Sequence, residues 1–400
     1  MSHIHTNTGA EYDVVVVGGG PAGATAAETL AKAGRTVLLL DRAGRIKPCG
    51  GAVPPRLVRD FAIPDHLIVA RARGANIISP TAKSVAMPID EGGYVGMVDR
   101  DMFDEFLRNR AVEAGAERRT GRFERLERCA TGRTIIHYKT NDTLVAVYAR
   151  AVIGADGAVS AVARQCIPGA DKHKRVFAYH EVIKSPPTGT PGWNASQCEI
   201  YYDAKVSPDF YAWIFPHGDT ASIGTGSAVK GFSLREAVGE LRDHVGLANA
   251  ETIRAEGAPL PLKPLPRWDD GVNVLLAGDA AGVVAPASGE GIYYAMYGGQ
   301  LAGEAMHEFC ATGDVRALKQ ARKRFMAEHG MVFAVLGFMQ NFWYSSDKRR
   351  ELFVTICSDP DVQAMTWQAY MNKALVRAKP MVHARIFAKN MMRLTRLMHA

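Results

Sequence analysis

No stretch of this chain approaches the roughly 18–20 consecutive apolar residues that a membrane-crossing helix requires. The opening MSHIHTNTGA lacks the basic-then-apolar build of a secretory signal. Cysteine is scarce: the six, at 49, 129, 166, 198, 310 and 357, are scattered, and no two have the C-x-x-C spacing of a metal clip. These absences predict a cytoplasmic protein with reduced thiols and no metal site. Nucleic-acid-binding motifs are missing as well. The formal charge of +7 is therefore not read as a nucleic-acid footprint, and no nucleic-acid partner is expected.

Acidic residues are absent from Val362 to Ala400, where Lys373, Arg377, Lys379, Arg385, Lys389, Arg393 and Arg396 supply seven positive charges. Apolar residues such as Met381, Phe387, Leu394 and Leu397 are interleaved with them. A basic amphipathic helix of this kind lies on an anionic membrane surface, or docks on the protein with its basic face in water. The first reading adds peripheral contact with a membrane.

What is present is ample core material: 47% of 400 residues are hydrophobic, enough for one large domain or two interleaved ones. The segment YDVVVVGGGPAGATAAETLAKAGRTVLLLDR opens the fold. Tyr12–Val17 is a β-branched run suited to a buried parallel strand. Gly18, Gly20 and Gly23 form G-x-G-x-x-G with Pro21 and Ala22 between them, and a helix follows to Ala33, with Gly34 as its C-cap. Residues 36–40 are a second apolar strand, ending in Asp41 and Arg42. Gly18 permits the tight turn, Gly20 lets a pyrophosphate approach the backbone, and Gly23 lets helix and strand pack. The helix N-terminus favours the phosphates, and Asp41 stands where an acid holds a ribose hydroxyl pair. This predicts dinucleotide binding. No second G-x-G-x-x-G occurs, so a second dinucleotide has no Rossmann domain of its own. It binds transiently in a cleft, or another electron donor takes its place.

Two distant segments extend the pattern. VIGADGAVSAVAR (152–164) carries Asp156-Gly157, and VLLAGDAAG (274–282) carries Gly278-Asp279, followed by Pro286, Gly289, Gly291 and Ile292. With the glycine loop, and in this order, they resemble the flavoprotein hydroxylase-like superfamily. That resemblance implies FAD as cofactor, with Asp279 on the ribitol chain and the loop from Pro286 to Ile292 against the pyrophosphate and flavin ring. It also implies that Asp156 and Gly157 line the FAD and NADPH side. The helical segment 98–115 begins near Arg100, whose counterpart in the superfamily reaches the FAD; the other reading is a surface pair with Asp104 at i+4.

The stretches 72–98 and 170–268 differ. Alternating runs such as 176–183, 197–202 and 210–215 read as antiparallel strands, with one helix opened by a Ser233/Glu236 capping box. The expected fold is therefore α/β with an α+β substrate domain. A Rossmann-like FAD domain (11–71, 99–169, 269–315) is interleaved with an antiparallel-sheet substrate domain (72–98, 170–268), followed by a helical region (316–400).

Within the substrate stretch, Pro208, Tyr211, Trp213, Phe215 and Pro216 fit P-x-x-Y-x-W-x-F-P. This resembles the signature of the geranylgeranyl reductase family. At period two the three aromatics share one sheet face, an aromatic wall for a polyprenyl chain or a plain sheet core. KPCGGAVP (47–54) resembles a loop of the chlorophyll and bacteriochlorophyll geranylgeranyl reductases, and Gly282 stands where aromatic hydroxylases carry His. The resemblance covers roughly residues 11–310. It implies an NADPH-dependent flavoenzyme that saturates three double bonds of a geranylgeranyl group, on pigment or as the diphosphate, to give phytyl.

An isolated alkene needs hydride at one carbon and a proton at the other. Tyr211 and Trp213 are expected to stabilise developing positive charge, by about 0.5–2 kcal/mol each. Cys49, Tyr211 and Glu290 are the candidate proton donors. Gly50 and Gly51 let the backbone approach the isoalloxazine, and Cys49 either takes part there or is a small residue that fits the loop. The rival functions are a flavin monooxygenase of the aromatic-hydroxylase type and a non-redox prenyl-lipid escort protein.

Overall fold

The structure is a computed structural model that describes residues 4–375 apart from 43, 45, 131, 173, 191 and 192. It divides into two compact units. The first takes the chain up to Pro48, then Arg100–Val176 and Ala258–Phe333; the second takes Cys49–Asp99, Phe177–Gly257 and the chain from Ala334 on.

The first unit is built on one seven-stranded sheet. Its centre is the strand Ile4–Val17, parallel to Val37–Asp41 on one side and to Thr143–Gly154 on the other. Glu117–Thr120 extends the parallel set beyond Val37–Asp41, and Val274–Leu276 pairs in parallel with Thr143–Gly154. Thr134–Thr140 and Arg122–Arg128 add antiparallel strands. Val14, Val15, Val16, Leu38 and Leu39 are completely buried, as continuous apolar runs are when both faces of a parallel sheet are covered.

The helix Pro21–Lys32 follows the first strand with proline in its first turn, where the missing N–H costs nothing. Gly34, just past its end, is left-handed with φ +76°, so it serves as the residue after the cap, and Ala33 is the cap itself. This helix packs against the long helix Ile292–Thr312 at very short range. A Cβ at Gly299 would stand 2.2 Å from the Ala22 carbonyl oxygen, and one at Gly303 would stand 2.8 Å from Thr29 Cβ.

The second unit holds a seven-stranded sheet in the order Thr252–Leu260, Val176–Lys184, Thr220–Ser227, Ala212–His217, Gln197–Tyr201, Gly74–Ile78, Ser84–Pro88. The helix Leu234–His244 covers one face, placing Val238 and Leu241 on Ile183, Ile214 and Ile223. Ser233 caps it by accepting the Glu236 N–H, as its sequence pattern predicts.

Two features differ from the sequence expectation. The sheet is mixed, because Gln197–Tyr201 and Gly74–Ile78 run parallel. Residues 49–71, expected with the FAD domain, pack in the second unit: Ala52–Val53 and Ala70–Ala72 both pair with Val95–Met97 in a small three-stranded sheet. Residues 258–268 and 316–333 belong to the first unit. Most of the basic C-terminal segment, 376–400, lies outside the described residues. No helix among the described residues is long and apolar enough to cross a membrane.

The helix contact is testable. Gly299→Ala places a methyl group against a backbone carbonyl that cannot turn away, an overpacking cost of about 1–3 kcal/mol. Urea unfolding is expected to show the midpoint lowered accordingly. An unchanged midpoint would mean that the two helices re-space freely.

Candidate functional site

In the first unit the glycine loop has the geometry its sequence predicts. Gly18 has φ +105°, and a Cβ there would lie 2.3 Å from the Ala155 carbonyl oxygen, so no other residue fits. A Cβ at Gly23 would fall 1.8 Å from the Gly18 oxygen. At Gly20 the result is opposite: a Cβ meets nothing within 4 Å. Gly20 is also the N-cap of Pro21–Lys32, with no side chain capping it and no acid in the first turn. The N–H groups of that first turn have no side-chain cap, and there the helix dipole favours an anion.

Asp41 ends the neighbouring strand and lies close to this loop, since a Cβ on Gly19 would be 2.6 Å from its Oδ2. Arg108 donates to Asp41 Oδ2 at 3.3 Å and to the Gly19 carbonyl at 3.2 Å. Arg108 is in turn held by Glu105, whose carboxyl is lowered to about 2, first by its bond to Arg118 and then by Arg108. Arg42 is exposed beside Asp41.

The other two motifs divide their labour. Asp156 accepts from the Ser160 hydroxyl and from the Ala161 and Val162 N–H groups, so it caps the short helix Ala161–Cys166. Burial pushes its carboxyl above the ordinary range against those bonds. Gly157 follows in a left-handed turn, φ +87°. Asp279 is buried, and Lys47 Nζ lies 2.5 Å from its Oδ2. It lines a cleft with Ser160, Ala163, Arg175, Leu265 and Ala280. Gly278 brings this motif to the opening helix, because a Cβ there would lie 2.6 Å from Ala22 Cβ.

Beyond it the chain through Pro286 folds back, with Gly289 donating to the Ala285 carbonyl and Ala285 to that of Glu290. Glu290 Oε1 then accepts the Tyr293 N–H at 2.9 Å, capping the helix that Gly291 and Ile292 begin. Arg100 makes a two-pronged pair with Asp104, at 2.8 and 2.7 Å. That pair is buried rather than on the surface.

The second unit contains the aromatic wall. Tyr211, Trp213 and Phe215 are buried, with centroids 5.9 Å apart for the first pair and 6.1 Å for the second. A hydrogen-bonded row crosses the sheet behind Trp213. Its indole N–H donates to Ser222 Oγ at 3.1 Å, Ser222 is 2.9 Å from His180 Nδ1, and His180 Nε2 is 3.2 Å from Glu256. Gly224 makes room for the indole, since a Cβ there would stand 2.3 Å from Trp213 Cζ2.

The loop 49–51 lies on this wall. A Cβ at Gly50 would come within 3.0 Å of Phe215 and 3.5 Å of Trp213 Nε1. Gly51 has φ +71°, with space for a Cβ blocked at 2.5 Å by both His217 and the Val98 carbonyl. Cys49 is a free, half-buried thiol whose sulfur accepts the Gly51 N–H at 3.4 Å. His217 Nε2 is 2.9 Å from the Gly50 carbonyl.

The structure thus brings Gly18, Gly20, Gly23 and Asp41 together, and Gly278 and Asp279 against the same opening helix. It brings Gly50 to Trp213 and Phe215, and Gly51 to His217. Sequence reasoning missed Arg108, Lys47, Ser222, Gly224 and His217. Arg108 sits eight positions beyond Arg100, roughly two turns along the same helix, and His217 directly follows the last proline of the aromatic signature.

The fold and the glycine-loop site are those of an FAD-binding oxidoreductase, and a family model described as pyridine nucleotide-disulphide oxidoreductase matches residues 12–184. The chain is 54% identical to a geranylgeranyl diphosphate reductase of Rhodobacter capsulatus over 97% of its length and 98% of the relative's. It is 36% identical to a chloroplastic geranylgeranyl diphosphate reductase of Oryza sativa, over 94% of this chain and 84% of that one. A geranylgeranyl bacteriochlorophyll reductase-like protein of Thermoplasma acidophilum shares the fold, with a TM-score of 0.80 at 22% identity over 95% of this chain and 96% of that one. The chain belongs to the geranylgeranyl diphosphate reductase family.

The wall's support gives a prediction. Gly224→Ala should displace Trp213 and destabilise the protein by about 1–3 kcal/mol, with an altered near-ultraviolet circular dichroism spectrum. A spectrum and unfolding midpoint equal to the parent's would show that the indole has room to spare.

Proposed function

We propose that this oxidoreductase reduces geranylgeranyl groups with FAD as its flavin and NADPH as electron donor. It saturates three double bonds to give phytyl, on (bacterio)chlorophyll or on geranylgeranyl diphosphate. The observation that carries the reading is the glycine-rich Cys49–Gly51 loop seated on the Trp213–Phe215 wall, in a chain that matches reductases of this family almost end to end. The 54% identity to a bacterial geranylgeranyl diphosphate reductase supports the substrate class.

The residues present fit FAD. The uncapped helix N-terminus at Gly20 suits a pyrophosphate, and Asp41, steadied by Arg108, suits a ribose diol. Asp279 suits the ribitol hydroxyls, with Lys47 beside it. Pro21, Ala22 and Gly23 complete the first loop, and Pro286, Gly289, Gly291 and Ile292 the second. Gly157 lies open, and Asp156 acts by shaping the turn before it. Arg100, paired with Asp104, acts through the helix Arg100–Glu113. When bound, the reduced flavin supplies hydride to one alkene carbon.

The chain's own residues handle the rest. Tyr211 and Trp213 hold the prenyl chain and stabilise positive charge at the tertiary carbon through their ring faces. Of the three proton-donor candidates, Glu290 spends one oxygen capping a helix at the Tyr293 N–H, and Tyr211 serves the prenyl chain through its ring face. Cys49 accepts a backbone N–H at sulfur, which leaves its own S–H free to donate. We assign the proton to Cys49. The basic residues from Arg377 to Arg396 supply peripheral contact with an anionic membrane, whereas Lys373 is buried with its ammonium over the Tyr370 ring.

Incubating the protein anaerobically with FAD, NADPH and geranylgeranyl diphosphate or geranylgeranylated pigment should give products heavier by successive steps of two mass units. No mass shift would sink the reading, and oxygen uptake matched to product in air would favour a monooxygenase. Asp279→Ala should weaken flavin retention by about tenfold or more, the scale of one lost charge-assisted hydrogen bond. Unchanged flavin occupancy would remove Asp279 from the site. Cys49→Ala should lower turnover at constant flavin occupancy, and full activity there would leave Cys49 as packing.

A further inference from the structure

We propose that Arg175 binds a phosphate group of a dinucleotide, in the cleft of the first unit that it lines with Asp279. This rests on the function proposed above, which gives Asp279 its place on a flavin nucleotide.

The starting observation is a cation without a counter-ion. Arg175 stands between the short 3-10 turn Ala170–Lys172 and the strand Val176–Lys184. Its side chain is half-buried, and its Nε is shut off from solvent. Among the described residues its guanidinium has no hydrogen-bond or ion-pair partner. Other arginines of the same unit are treated differently: Arg108, Arg110, Arg118, Arg119 and Arg128 each pair with a carboxylate. A guanidinium offers five N–H donors and accepts nothing, so it needs acceptors from somewhere. A buried donor left unpaired lowers stability, and the fold alone therefore gives no reason for an arginine here.

The cleft does not supply the missing partner. Apart from Arg175, Asp279 and Ser160 it is lined by alanines and Leu265. The Ser160 hydroxyl is spent, since it donates to Asp156 and accepts the Ala163 N–H. Asp279 is the one acid in the lining, and Lys47 Nζ already lies 2.5 Å from its Oδ2. That pair is neutral as a whole, so Arg175 leaves the cleft with one positive charge in excess. An apolar lining with a few converging polar groups is the build of a ligand site, and the excess charge selects an anion.

The anion is a phosphate. The planar guanidinium fork matches two oxygens of one phosphate group. In FAD the ribitol chain runs directly into the pyrophosphate. A flavin nucleotide whose ribitol meets Asp279 therefore carries a phosphate a few bonds away, beside the unpaired cation. NADPH is the second source of the same chemistry, and the two are separable by experiment.

The test uses the full-length parent, Arg175→Ala and Arg175→Lys. The Kd for FAD is read from quenching of flavin fluorescence on titration into flavin-free protein, and Tm is recorded with and without FAD. The NADPH concentration that half-saturates anaerobic bleaching is measured at full flavin occupancy. Arg175→Ala is expected to raise the Kd for FAD by about 10- to 100-fold, the scale of a hydrogen bond between charged groups. Its flavin-free Tm should equal or exceed the parent's, because the side chain has no partner to lose, while the rise in Tm on adding FAD should shrink. Arg175→Lys keeps a point charge and should lose less affinity. If the phosphate is that of NADPH, the Kd for FAD stays parental and the half-saturating NADPH concentration rises instead. Parental values of both in Arg175→Ala overturn the proposal. If that variant fails to fold, Arg175→Lys decides by the same two readings. A parent that binds no FAD would instead defeat the proposed function itself.

Discussion

The first unit depends on the approach of three segments to one small residue, Ala22. The glycine-loop helix, the Gly278–Asp279 turn and the helix Ile292–Thr312 all meet there, at distances that leave no room for a Cβ on Gly278 or Gly299. The physical cause is close packing: an interior with no slack transmits the position of one segment to the next. Two motifs some 260 residues apart in the chain are thereby held on one helix, and with them an open helix N-terminus and a buried carboxylate. A dinucleotide needs this pairing, because its pyrophosphate and its polyol chain must be met by the same rigid body.

The second unit solves a different problem with similar means. A flat aromatic wall is soft unless each ring is fixed, and Trp213 is fixed from two sides. Gly224 admits its ring edge, and Ser222 accepts its N–H in a row that continues through His180 to Glu256. The opposite face of the same sheet is an ordinary apolar core under the helix Leu234–His244. One face thus supplies stability, which frees the other to be shaped by function. An apolar, ring-lined surface suits a chain that must slide so that successive double bonds react, because it offers contact without fixed polar anchors.

Much of this was legible in the sequence because the determining rules are local. A glycine at φ +105°, a proline in a helix's first turn and a serine before a capped helix are decided by their own few residues. Period two alone put Tyr211, Trp213 and Phe215 on one face. What escaped was long-range. Nothing local says that residues 49–71 leave the first unit; that follows from two short strands pairing with Val95–Met97. Arg108 gains its place only when its helix lies beside Asp41, and Lys47 only when Asp279 arrives from far along the chain. The pair of Arg100 with Asp104 follows from i+4 spacing, but its burial does not, because that depends on what packs over the helix.

The central claim is that a flavin held by this chain hands its electrons to an isolated prenyl double bond. The most direct measurement is anaerobic stopped-flow absorbance of the flavin-loaded protein, first bleached by NADPH, with excess donor removed, and then mixed with geranylgeranyl diphosphate or geranylgeranylated pigment. The account predicts return of the oxidised flavin band without oxygen, in proportion to the double bonds reduced. A band that stays bleached with both prenyl substrates, yet returns on admission of air, would contradict it.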